Sequence, residues 1–134
     1  DKDEFDLIMD KTIFHPQGGG QPKDNGTIFS ADGSITFEVT DLKEKDGVIS
    51  HIGKYTSQKQ FEVGNEVDLK IDGEFRSSNA RIHSAGHLID MAMKRAGKGD
   101  LKPGKGYHFE EGPYTEYNGV IPEKDREALC GELD

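Results

Sequence analysis

The chain has 134 residues, 26 acidic against 17 basic, a formal net charge of −9, 17 glycines, no Trp and 32% hydrophobic residues. The length fits one domain, or one domain with a fragment of a second, and the charge argues against non-specific nucleic-acid binding by the chain as a whole. No run of about 18 apolar residues could span a bilayer, no charged-then-apolar leader opens the chain, and a single cysteine, Cys130, excludes an internal disulfide framework and suits a reducing, cytoplasmic setting.

The segment FDLIMDKTIF, residues 5–14, predicts a strand, and HPQGGGQPKDNG after it is a long breaker with two prolines. TIFSADGSITFEV (27–39) alternates on either side of Asp32-Gly33, and residues 41–52 repeat the pattern around Asp46-Gly47, both dipeptides that favour tight hairpin turns. Val63, Val67, Leu69 and Ile71 alternate in a further strand region, with Gly64-Asn65 as its turn. Short strands with turn signals every eight to twelve residues predict a small closed or half-closed β-barrel over residues 1–75.

Near Ser77 the period changes. Ser77, Ser78 or Asn79 can cap a helix whose Ile82, Ala85, Ile89, Ala92, Met93 and Ala96 recur at helical spacing, and Gly97 ends it. KGDLKPGKG reads as a loop, residues 107–121 as two short strands around Gly112-Pro113, and Pro122 opens an acidic-first helix. Residues 76–134 are therefore expected to form an α+β part.

His83 and His87, one turn apart on one helical face, can both reach a single ion, with Asp90 and Lys94 continuing that face. An HxxxH pair is by itself common, and an ordinary hydrogen-bonded histidine pair is the bland alternative. A metalloprotease of the HExxH type is excluded because Ser84, not Glu, follows the first histidine. Gly18, Gly19 and Gly20 match neither GxGxxG nor a P-loop, yet they allow a backbone to approach a ligand closely. Beside them, Thr12 and Gln21 offer uncharged hydrogen-bonding groups to a pocket, and His15 can join them. The basic run Lys94, Arg95, Lys98, Lys102 and Lys105 suits either a phosphate contact or a solvated helix end. Cys130, without a base near it in sequence, reads as a small core residue.

Taken in order, TIFHPQGGGQPKDNGTI, VISHIG, RIHSAGHLIDMAM and PGKGYHFEEGPYTEY resemble the alanyl-tRNA editing proteins, the AlaX family, and the related editing domain of alanyl-tRNA synthetases, from about residue 5 to the chain end. The resemblance implies an α+β fold: a small N-terminal β-barrel followed by the start of an editing domain that carries the HxxxH helix. It implies zinc-dependent hydrolysis of the ester in mischarged Ser-tRNA(Ala) or Gly-tRNA(Ala). In the family, zinc is held by HxxxH together with a later CxxxH. His83 and His87 match the first motif, whereas nothing matches the second, since Cys130 falls early and Asp134 is not histidine. The chain is thus expected to be the front portion of such a protein, lacking two ligands and poorly active alone. The resemblance also assigns Thr12 and Gln21 to the amino-acid pocket and its chemistry, and His15, Gly18, Gly19 and Gly20 beside them are expected at the substrate. From the basic cluster itself, Lys98 and Lys102 are expected to contact the tRNA(Ala) acceptor end. Two alternatives compete: a non-catalytic β-barrel module binding RNA or protein, and an editing domain excised from a synthetase.

Overall fold

The computed structural model describes residues 3–133, with side chains through residue 131. Among them run β1 (Phe5–Ile8), β2 (Gly26–Phe29), β3 (Thr36–Lys45), β4 (Val48–Tyr55), β5 (Asp68–Ile71), α1 (Gly73–Arg95), β6 (Lys102–Tyr107), β7 (Tyr114–Asn118) and α2 (Glu123–Leu133). The class is mixed α+β. The chain forms two compact units, one of Asp1–Gly18 with Pro22–Arg76, the other of Gly19–Gln21 with Ser77–Asp134. Asp134, compared above with the second zinc motif, lies outside the described residues.

The first unit is a five-stranded antiparallel sheet in the order β1-β4-β3-β2-β5. No ladder among the described residues joins β1 to β5, so the observed pairings form an open sheet. Phe14, Ile28, Phe37, Val39 and Leu42 make its core, with Leu7, Tyr55, Phe61 and Leu69 packed against them. Along β3 the buried positions run 37, 39 and then 42, because a bulge between Val39 and Asp41 takes up Thr40 and turns Leu42 inward where strict alternation would bury Asp41. Opposite that bulge, Gly53 has no room for a side chain: a Cβ there would lie 1.9 Å from the Glu38 carbonyl oxygen. The Asp46-Gly47 turn has both residues at positive φ, 54° and 78°, as a primed hairpin turn needs. In the β2–β3 connection, hydrogen bonds from the Ser30 hydroxyl and the Ser34 amide hold the Asp32 carboxyl down at about 2.

Several expected boundaries shift. The first strand stops at Ile8, because only residues 5–8 find partners on β4; Phe14 reaches the core from irregular chain. Val63, expected to alternate inward, is fully exposed at a turn tip, where Asn65 N–H donates to Glu62 O at 3.1 Å and Gly64 takes φ 94°. The long helix begins at Gly73, capped by Asp72 and not by Ser77, Ser78 or Asn79. Asp72 Oδ1 accepts the Phe75 N–H at 2.9 Å, and Glu74 adds an acid to the first turn.

At its other end α1 closes as Gly97 predicts. Gly97 takes φ 73°, its N–H donates to Lys94 O, and Lys98 N–H reaches back to Met93 O at 2.9 Å, the paired bonds of a Schellman motif. The fully buried positions of α1 are Asn79, Gly86 and Met93, seven residues apart on one face. In the expected loop KGDLKPGKG, residues from Lys102 onward are already strand, paired with β7 in a hairpin whose register shifts between Pro103 and Gly106. In α2, Leu129 is buried while Cys130 is exposed, so the cysteine is not the core residue its helical setting suggested.

Candidate functional site

The site candidates in the second unit gather around α1. His83 is half-buried, and its ring stacks on that of His87 with centroids 5.0 Å apart and planes at 28°. Each imidazole has its Nδ1 edge facing an oxygen. His83 Nδ1–H donates to Gln21 Oε1 at 3.0 Å, and His87 Nδ1 lies 3.6 Å from Asp90 Oδ2. Asp90 is in turn fixed by the Tyr117 hydroxyl, which donates to its other oxygen. A neutral histidine that donates from Nδ1 keeps Nε2 as a lone pair, the form that ligates a metal or accepts a proton. An oxygen behind a ligating imidazole is the usual orienting arrangement. Burial, then the adjacent carboxylate, pushes the Tyr117 phenol well above its ordinary range, so it stays a donor at any physiological pH.

The tip of the glycine-rich segment belongs to this unit. Gly19 and Gly20 sit at positive φ, 57° and 80°, and Gly20 O accepts the His108 N–H at 2.9 Å. A Cβ on Gly20 would lie 2.3 Å from Gly106 O, so both backbone conformation and space require glycine there. Gly18 faces open space and has an ordinary φ, so neither argument applies to it. The turn carries Gln21 to His83, which brings together two candidates 62 residues apart in sequence.

A third histidine, which sequence reasoning passed over, completes the cluster. His108 is buried, and its ring lies almost parallel to His83, centroids 4.6 Å apart and planes at 10°. Burial first, then the neighbouring His83 and His87, lowers its affinity for a proton. The only trace of it in sequence is a histidine one residue beyond a glycine-spaced strand.

The other candidates make their own contacts, each within its own unit. Lys98 Nζ donates to Asp125 Oδ2 at 2.8 Å, tying the end of α1 to α2, whereas Lys102 is exposed at the start of β6. In the first unit, the Thr12 hydroxyl bonds His51 Nε2 at 2.8 Å and accepts the Phe14 N–H at 3.1 Å. His51, fully buried, has its Nδ1 at 2.9 Å from Leu7 O. A carbonyl can only accept, so Nδ1 carries the hydrogen, Nε2 accepts from Thr12, and the threonine oxygen keeps one free lone pair. His15 contributes backbone groups: its N–H donates to Asp24 Oδ2 at 2.7 Å and its carbonyl accepts the Asp24 N–H. Asp24, nearly inaccessible, also takes a charged donor from Arg76, whose Nε lies 2.7 Å from Oδ1. This ion pair was not foreseen. Its partners lie 52 residues apart and each is unremarkable in sequence.

As a metal site the cluster is half of what zinc requires. The His83 Nε2 lone pair suits zinc, but among the described residues no group of three or more His, Cys, Asp or Glu side chains converges on one point. These residues alone do not close a ligand set.

Residues 1–75 match the family model described as tRNA synthetases class II (A). Over 95 residues, 71% of this chain and 23% of that protein, the chain is 40% identical to alanyl-tRNA editing protein AlaX-L of Pyrococcus horikoshii. It is 39% identical over 111 residues to AlaX-M of the same organism, covering 81% of this chain and 48% of that protein. An alanine–tRNA ligase of Methanothrix thermoacetophila is 37% identical over 92 residues, 69% of this chain and 10% of the ligase. The chain therefore spans less than half the length of these relatives. By the match over residues 1–75 the chain belongs to the class II (A) tRNA synthetase family, and its sequence is similar to alanyl-tRNA editing proteins and to part of an alanine–tRNA ligase.

Proposed function

We propose that the chain carries part of an aminoacyl-tRNA editing hydrolase that removes serine or glycine from mischarged tRNA(Ala). The observation that supports this most is the paired His83 and His87, each with an oxygen behind Nδ1, in a chain similar to alanyl-tRNA editing proteins. On this reading His83 and His87 are the residues that would hold zinc. Bound zinc supplies a Lewis acid for the aminoacyl ester. Gln21 orients His83. Thr12 provides recognition: its hydroxyl hydrogen is committed to His51, so its free lone pair accepts from a serine hydroxyl that alanine lacks. A site built around such a bond discriminates strongly against the analogue without it. Lys102, exposed and basic, contacts the phosphates of the acceptor end, and the open sheet carries Thr12 in its β1–β2 connection.

Release of serine from Ser-tRNA(Ala) against alanine from Ala-tRNA(Ala), with zinc supplied, tests this. Selective serine release that disappears in His83→Ala and His87→Ala is expected, and it depends on added zinc because two imidazoles hold the ion weakly. Equal release from both substrates, or activity indifferent to both substitutions, overturns the reading in favour of a non-catalytic binding module.

A further inference from the structure

The role of His108 does not follow from the pairing of His83 and His87. Its ring is seated among three glycines from three parts of the chain. A Cβ on Gly86 would fall 2.4 Å from His108 Cε1, one on Gly106 2.5 Å from Nε2, and one on Gly20 2.9 Å from Cδ2. Cβ contacts below 3.0 Å essentially do not occur. Gly86 lies in the middle of α1 with an ordinary helical backbone, where glycine is intrinsically unfavourable. Space for the ring, not backbone conformation, accounts for glycine there, and the same holds for Gly106.

From this seat His108 acts on His83 in two ways. Its side chain covers the face of the His83 ring in a near-parallel stack. Its backbone N–H holds Gly20 O, next to Gln21, whose amide oxygen defines the Nδ1 edge of His83. A Cβ on Gly86 would also lie 3.0 Å from His108 Nδ1, and with the 2.5 Å approach of one on Gly106 to Nε2 the ring serves as a wedge held by space, not by its nitrogens.

We propose that His108 is a positioning residue: wedged among Gly20, Gly86 and Gly106, it sets the plane and tautomer of the His83 imidazole, and Gly86 is glycine in order to admit it. This rests on His83 being a site residue, as proposed above.

The test uses His108→Ala, Gly86→Ala, Gly106→Ala and the double variant Gly86→Ala/His108→Ala. The first readout is the His83 tautomer in long-range proton–nitrogen spectra of the metal-free protein, at about pH 8 where an ordinary histidine is neutral. The second is affinity for cobalt(II). The unsubstituted protein should show His83 protonated at Nδ1. Each single variant should mix the tautomers and lose about 10- to 100-fold in cobalt affinity, as loss of an orienting group does. The double variant should match His108→Ala alone, because Gly86→Ala has nothing left to displace. Should His108→Ala fail to fold, the two glycine variants, each of which displaces the ring, still decide. An unchanged tautomer in the single variants, or a Gly86→Ala effect of equal size with and without His108, overturns the proposal. If the tautomers shift as expected while even the unsubstituted protein binds no cobalt, the zinc reading fails and the positioning role stands.

Discussion

The hydrogen bond between Thr12 and His51 links the sheet core to the proposed recognition group, and a double-mutant cycle of Thr12→Val and His51→Phe measures it. His51 is fully buried on β4, and its ring meets Phe14 edge-on with centroids 5.4 Å apart. Phenylalanine keeps an aromatic ring and its buried area but removes both hydrogen bonds, leaving Leu7 O and the Thr12 hydroxyl without this partner. Each buried polar group so deprived costs about 1–3 kcal/mol, and Thr12 is only half-buried, so His51→Phe should cost about 2–4 kcal/mol. Against a domain stability of about 5–15 kcal/mol this is large, and for a unit of this size it lowers the melting midpoint by at least roughly 8 °C. Thr12→Val removes one hydroxyl and should cost about 1–2 kcal/mol. The two changes remove one shared bond, so the double variant should fall short of their sum by about 1 kcal/mol, above the roughly 0.3–0.5 kcal/mol scatter of independent sites. Urea unfolding followed by far-UV circular dichroism, suited to a chain without Trp, gives all three values. Strict additivity would refute the bond, and with it the argument that the threonine hydrogen is committed. On the functional side, Thr12→Val should abolish the preference for Ser-tRNA(Ala), and His51→Phe should weaken it.

Burial pushes the His51 pKa below the ordinary histidine value, against the opposing pull of Leu7 O and Asp6. A depressed folded-state value means that the unfolded chain takes up the proton first. Stability from this group is complete above about pH 6.5 and is lost as pH falls toward the folded value. His51→Phe should therefore flatten the acid limb of a stability–pH curve below about pH 6.5, and parallel curves would contradict the assignment. Gly53→Ala should destabilise by about 1–3 kcal/mol or more through overpacking, since its Cβ meets the Glu38 carbonyl at 1.9 Å; a thermal melt as high as that of the unsubstituted protein would refute the close approach. Lys102→Glu should weaken tRNA binding and lower the slope of log affinity against log salt by about one. Lys98→Glu should also loosen α2, because it breaks the ion pair with Asp125, so reduced helicity on top of a binding loss separates the two lysines.

Much of the local structure was legible because its causes are local. Asp46-Gly47 and Gly97 demand positive φ whatever surrounds them, and both turn where expected. The helical spacing from Ile82 to Ala96 marked α1, but not its start: Asp72 outcompetes Ser77 as cap because its carboxylate already meets the Phe75 amide one turn earlier. Cys130 shows the limit of periodicity, since a helical position does not say which face is covered.

Sequence by itself determined the HxxxH pair, the glycine-rich turn, the hairpin signals and the family resemblance, all features written in neighbouring residues or in their order. Tertiary structure alone decided which distant groups meet. Gln21 behind His83, Tyr117 behind Asp90, His51 behind Thr12, Arg76 on Asp24, and His108 seated against Gly86 are contacts across about 20 to 60 residues. A side chain's spacing along its own element fixes the direction in which it points. What stands opposite depends on how the chain returns, and a glycine does not announce which ring will fill the space it leaves.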